Sequence, residues 1–140
     1  MNTFRLLVLT DHTTHNKENS LYALVNEFKN HPQCESVDVG TRSTVLNTSF
    51  FSGKNVELLW VTRIETPITY KSDGHFILMN LRKEPLRGYD VVLMRIPPPL
   101  NDLFLLSLDE HLNNTLVINS LDGLWKTSTK KFLLTFKDLC

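Results

Sequence analysis

The sequence predicts an α/β protein with a Rossmann-like, open, mostly parallel sheet flanked by helices, and a hairpin insertion around residues 42–82. Three observations carry this prediction. Residues 4–10, FRLLVLT, are almost continuously apolar, as in a strand buried on both faces of a parallel sheet. Residues 20–30, SLYALVNEFKN, then place Leu21, Leu24, Val25 and Phe28 at i, i+3, i+4 and i+7, one face of a helix. ESVDVG, residues 35–40, follows as a second short strand. Strand, helix, strand is the βαβ unit of a parallel sheet.

The remaining elements follow in chain order. DHTTHNKEN is a polar loop after the first strand, and Asn19 or Ser20 caps the first helix. HPQ stops that helix. In residues 42–82 the runs VELLWVTRI and GHFILMNL read as strands, with KSDG as the turn signal between Tyr70 and His75. EPLRGYD is a loop and VVLMRI a further buried strand. NDLFLLSLDEHLNN is a helix capped by Asn101 or Asp102, with Leu105, Leu108 and Leu112 facing inward. TLVIN is a short strand and SLDGLW a turn. TSTKKFLLTFKDL is a last helix with Phe132, Leu133, Phe136 and Leu139 inward.

The 140 residues fit one domain. With 41% apolar and 21% charged residues, the composition is that of a globular chain and not of a disordered tail. A formal net charge of zero argues against a nucleic-acid or membrane-surface binder, which would carry a strongly basic face. No apolar run approaches the roughly 18 residues that span a bilayer, and the N-terminus lacks a signal-peptide cleavage pattern. Cys34 and Cys140 suggest no disulfide framework, so a cytoplasmic protein is expected. The chain stops straight after an amphipathic segment with no glycine stop signal, the expectation for a fragment or a first domain. An apolar face meant for another domain would then favour a homo-oligomer, a dimer first of all.

In open α/β sheets, ligands bind just past the carboxyl ends of the parallel strands. Four loops meet that condition: DHTTHN, GTRS, RIPPPLND and NSLDGLWK. Arg95 closes the VVLM strand, where its guanidinium can offer a fork of donors to a carboxylate or phosphate. The competing use is an ion pair with Asp90 or Asp102. Pro97, Pro98 and Pro99 donate no hydrogen bonds and make a stiff crossing from strand to helix. Asp11 ends the first strand, placed to hydrogen-bond a substrate. Together with His12 and His15 it falls short of a metal site. Lys126, Lys130 and Lys131 open the last helix, as a phosphate seat or a solvated face. The five glycines are isolated, so neither a P-loop nor a dinucleotide fingerprint occurs. With no nucleophile–base motif either, a complete active site within these residues is not expected.

On these residues the sequence resembles the N-terminal, pre-ATP-grasp domain of prokaryotic-type glutathione synthetase, a member of the ATP-grasp superfamily. LLVLTDHTTHNKENSLYALVNEF looks like the family's first strand, aspartate-bearing loop and first helix. YDVVLMRIPPPLND looks like its signature Asp-Val-Ile-Leu-Met-Arg-Lys-Asp-Pro-Pro-Phe-Asp. TLVINSLDGLWKTSTKKFLLTF looks like its segment with Val-Asn and a later lysine, and FKDL falls where the ATP-grasp part begins. The likeness runs the length of the chain in order, but residues 42–82 match only in length and strand character.

The resemblance implies roles. Arg95 falls on the signature arginine near bound γ-glutamyl-cysteine, Asp11 on the first-strand aspartate, Ser20 on the loop-to-helix serine, and Asn119 on the Val-Asn after the last strand. Lys130 falls on the lysine that reaches the nucleotide phosphates. The implied reaction is ATP-dependent: phosphorylation of a substrate carboxylate, then attack of an amine on the acyl phosphate, with charge stabilised by Mg²⁺, lysine and arginine. In that family ATP and Mg²⁺ are held mainly by the ATP-grasp domain. This chain alone is therefore expected to bind neither and to be inactive. It departs from the family's pattern at Pro97, Leu100 and Asn101, where aspartate, phenylalanine and aspartate are expected, and at Ser120 and Leu121.

Overall fold

The computed structural model describes residues 3–97, 100–112 and 114–118. Among the described residues six strands form, β1 (Phe4–Thr10), β2 (Cys34–Thr41), β3 (Leu58–Arg63), β4 (Arg82–Pro85), β5 (Val91–Arg95) and β6 (Leu116–Ile118). They form one sheet in the order β4-β3-β2-β1-β5-β6. β1 pairs in parallel with β2 and β5, and β5 with β6. β3 and β4 extend the sheet antiparallel beyond β2. This is the open, mostly parallel α/β sheet that the sequence predicts.

β1 is apolar throughout because it has two faces to bury. Leu6 and Val8 point to one side, packing with Leu21, Val25 and Phe28 of helix α1 (Leu21–Lys29). Leu7 and Leu9 point to the other, toward Phe50 of α2 (Thr48–Phe51) and Phe104 and Leu108 of α4 (Asp102–His111). The period-2 alternation of a strand thus feeds two cores.

The helix caps resolve as the sequence allows. Asn19 Oδ1 accepts from the Leu21 N–H at 2.8 Å, while Ser20 makes no capping bond with its side chain. Asn101 Oδ1 caps α4 by accepting from the Phe104 N–H at 3.2 Å. Phe104 is the main anchor of α4, its ring 5.6 Å from Phe50 and 5.2 Å from Phe51. Leu108 and Leu112 are buried as expected, and Leu105 is half-buried.

Within residues 42–82 the elements differ from expectation. VELLWVTRI does supply β3, but GHFILMNL is not a strand: it folds as the short helix α3 (His75–Leu78). Gly74 takes a left-handed φ of 71° and turns the chain into that helix. The Thr62 hydroxyl then donates to the carbonyls of Ile77 (2.6 Å) and Met79 (3.0 Å), tying α3 to β3. A short apolar run does not by itself distinguish strand from helix. On the side away from β2, the antiparallel partner of β3 is instead β4, whose Glu84 and Pro85 fall in the expected loop EPLRGYD. Its polar side chains and proline are those of an edge strand. Asn47 is fully buried and pins the turn before α2 to β3, donating to the Thr41 and Trp60 carbonyls and accepting from the Trp60 N–H. The expected last helix lies outside the described residues.

β2 carries a charge in the core. Asp38 is 0% exposed. Arg63 meets it with both forks, Nε to Oδ1 at 2.8 Å and Nη2 to Oδ2 at 3.0 Å. The Tyr89 hydroxyl donates to Oδ2 at 2.6 Å. Burial, and then the Asp38 charge, push the Tyr89 hydroxyl well above its ordinary pKa, so it stays a donor. Asp38→Ala should therefore destabilise the fold by about 3–5 kcal/mol, because two donors lose their acceptor at once. Tyr89→Phe, which removes one donor, should cost only about 1–2 kcal/mol. Urea unfolding measures both, and equal, small costs would contradict this account of Asp38.

Candidate functional site

The chain leaves β1 for β2 on one side and later returns to β5 on the other. The carboxyl ends of β1 and β5 are thus the topological switch point of the sheet, where such sheets open a crevice. A cleft of about 330 Å³ lies there, lined by Thr10, His15, Asn19, Leu21, Arg95 and Pro97, among others. A second groove, of about 310 Å³, runs along α4 past Lys54, Glu57, Ser107 and His111. It shares no lining residue with the cleft between β1 and β5.

Arg95 is the last residue of β5, and its Nη2 donates to Ser20 Oγ at 2.8 Å. It forms no ion pair within 4.0 Å among the described residues. The alternative use expected for it, a pair with Asp90 or Asp102, is not made. Asp90 Oδ2 accepts instead from the Arg5 backbone N–H at 2.8 Å. Burial lowers the Arg95 pKa from its ordinary value, but an arginine that starts so far above neutrality stays charged. The cleft therefore holds a partly desolvated cation whose described partner is a neutral hydroxyl. The Ser20 hydroxyl makes no capping bond to α1.

Asp11 sits beside the cleft with its carboxylate already engaged. Oδ1 accepts from the Thr13 hydroxyl (2.6 Å), the Thr13 backbone N–H (3.1 Å) and the Ser43 hydroxyl. Oδ2 accepts from Nε and Nη2 of Arg42, each at 3.0 Å. Burial alone would raise its pKa, but the bonds from Ser43, Thr13 and Arg42 outweigh burial and hold it at about 2. Asp11 braces the rim and is not among the residues lining the cleft.

The two histidines of DHTTH are committed as well. His15 is 8% exposed, with Nε2 2.8 Å from Thr10 Oγ1 and Nδ1 2.7 Å from the Tyr22 hydroxyl. Burial, then the neighbouring His12 and Arg95 charges, lower its pKa against the pull of Asp11. His12 Nδ1 lies 2.8 Å from Thr41 Oγ1, and burial lowers its pKa too. Among the described residues no group of three or more His, Cys, Asp or Glu side chains could hold a metal ion.

The structure thus brings Arg95, which lines the cleft, together with Ser20, and leaves Asp11 outside the lining. Asn119 and Lys130, with Lys126 and Lys131, lie outside the described residues. Sequence reading passes over Arg42 and Tyr22. GTRS marks Arg42 only as part of a rim loop, and Tyr22 falls off the apolar stripe of its helix. What the arrangement can do is receive an anion: a guanidinium, with a hydroxyl bonded to it, lines an opening walled by polar side chains and by Leu21, Ile96 and Pro97. No protein-family model and no curated protein matches the chain. Among the described residues no helix is long and apolar enough to cross a membrane.

The histidines imply a pH dependence with a definite sign. A histidine held neutral in the fold but free to protonate in the unfolded chain stabilises the fold above its ordinary pKa of about 6.5, and that stability fades as pH falls further. The melting temperature should therefore drop between about pH 7.5 and 5.5, and His15→Gln should make the drop shallower, leaving the share due to His12. Asp11 acts lower: with its pKa moved from 3.8 to about 2, its contribution is lost across that interval. An unchanged slope in His15→Gln would contradict the assignment of His15.

Proposed function

We propose that this domain binds an anionic small molecule, through a carboxylate or phosphate group, in the cleft between β1 and β5, with Arg95 as the charged contact. The observation that carries this reading is the Arg95 guanidinium: partly buried, at a switch point, and without a carboxylate partner among the described residues. Desolvating a cation has a cost, and a bound anion offsets it with charge-assisted hydrogen bonds. Ser20, hydrogen-bonded to Arg95, adds a hydroxyl beside the guanidinium.

The resemblance to the pre-ATP-grasp domain of glutathione synthetase supports a narrower reading. On it, the chain is the substrate-binding domain of an ATP-dependent carboxylate–amine ligase, and the anion is γ-glutamyl-cysteine or a similar peptide acid. Arg95 and Ser20 then hold the substrate, while ATP and Mg²⁺ are bound mainly by an ATP-grasp domain. Lys130, and Asn119 on the substrate side, complete that assignment. The same reading puts the protein in the cytoplasm. Pro97 and Asn101, which stand where the family has carboxylates, favour a second reading, a non-enzymatic α/β module that binds a simpler anion.

Calorimetric titration of the chain with γ-glutamyl-cysteine tests both. Arg95→Ala should weaken binding by roughly 10–100-fold, the worth of one charge-assisted hydrogen-bonding group, and Arg95→Lys should recover part of the loss. Equal binding by wild type and Arg95→Ala would reject Arg95 as the contact. Inorganic phosphate bound as tightly as the peptide would favour the simpler module.

A further inference from the structure

We infer that Arg42 is a positioning residue for this cleft: it acts on the ligand through the loop that follows Arg95, without touching the ligand itself. This inference rests on the reading of Arg95 as the anion contact. Arg42 is the first residue past β2, and its backbone N–H donates to the Thr10 carbonyl at 2.8 Å, continuing the β1–β2 ladder by one step. The side chain then reaches across the end of β1. Nε and Nη2 bond Asp11 Oδ2, and Nη1 donates to the Pro97 carbonyl at 3.4 Å. One planar group thereby joins the loops that leave β1, β2 and β5. Arg42 is not among the residues lining the cleft, whereas Pro97 is.

The chemistry of each partner suits this use. Pro97 has no N–H, so its carbonyl is the backbone group by which the β5 loop can be held there. Arg95 is only two residues earlier, and the direction of its guanidinium toward Ser20 depends on that short piece of backbone. Asp11, ionised and held by Ser43 and Thr13 from its other oxygen, keeps the Arg42 fork from turning away. A guanidinium has donors enough, in a fixed plane, to satisfy two acceptors on separate loops. A lysine ammonium at the end of a flexible stem carries the same charge without that geometry. A contact displaced by a fraction of an ångström loses much of its value, so bracing the loop matters for binding.

A double-mutant cycle decides the matter, using Arg42→Lys, Arg95→Ala and the pair in the full chain, with γ-glutamyl-cysteine and inorganic phosphate as probes. Arg42→Lys should weaken binding about tenfold with its melting temperature near wild type, and should add nothing in the Arg95→Ala background. Relaxation of the Arg95 Nε–H signal in the unliganded protein should show greater mobility in Arg42→Lys. Additive losses of affinity, or wild-type affinity and wild-type Arg95 mobility in Arg42→Lys, would overturn the inference. If the wild type binds neither probe, or Arg95→Ala binds as well as wild type, the reading of Arg95 fails instead. The mobility measurement then still reports whether Arg42 holds the loop.

Discussion

Strand β1 is hydrogen-bonded along both edges and covered on both faces, and the other features of the molecule follow from that enclosure. Its two rows of leucine and valine require a helical layer on each side, which α1 supplies on one and α2 with α4 on the other. Its two parallel neighbours, β2 and β5, bring three chain exits to the same end. Backbone that leaves a buried strand must satisfy its polar groups in little space. The rim answers with side chains: Asp11 and Asn47 accept and donate to neighbouring backbone, and Arg42 reaches across from loop to loop.

Charge is accommodated differently at Asp38 and at Arg95. At Asp38 the account closes, with two bonds from Arg63 and one from Tyr89 meeting the two carboxylate oxygens. Charge there holds β2, β3 and the approach to β5 in one arrangement. At Arg95 the described partner is a single neutral hydroxyl. A structural arginine would sit as Arg63 does, against a carboxylate. The contrast between these two guanidiniums within one sheet is the physical basis for reading Arg95 as a ligand group.

Much of this was legible in the sequence. The unbroken apolar run of FRLLVLT needs cover on both faces, and the helical stripe of Leu21, Val25 and Phe28 supplies one cover; both are found. The rim position of Arg95 follows from the end of VVLMRI. Two kinds of feature were not legible. GHFILMNL has the apolar content of a strand, and only the left-handed Gly74 and the Thr62 hydroxyl decide for a helix. The β4 edge is polar and contains a proline, so its pairing shows only when β3 is beside it. Among site residues, Asp11 is a free carboxylate in a sequence, but long-range bonds from Arg42 and Ser43 commit it. Arg42 and Tyr22 take their roles from partners 31 and 7 residues away, Asp11 and His15, which no local pattern records.

The central claim is that the cleft at the end of β1 and β5 receives an anion through Arg95. Its most direct test is a backbone amide NMR titration of the full chain with γ-glutamyl-cysteine and, separately, inorganic phosphate. The account predicts saturable shifts confined to Thr10, Asn19, Ser20, Arg95 and Ile96, around the cleft. Shifts confined to Lys54, Ser107 and His111 in the groove along α4, with Arg95 and Ser20 unmoved, would contradict it.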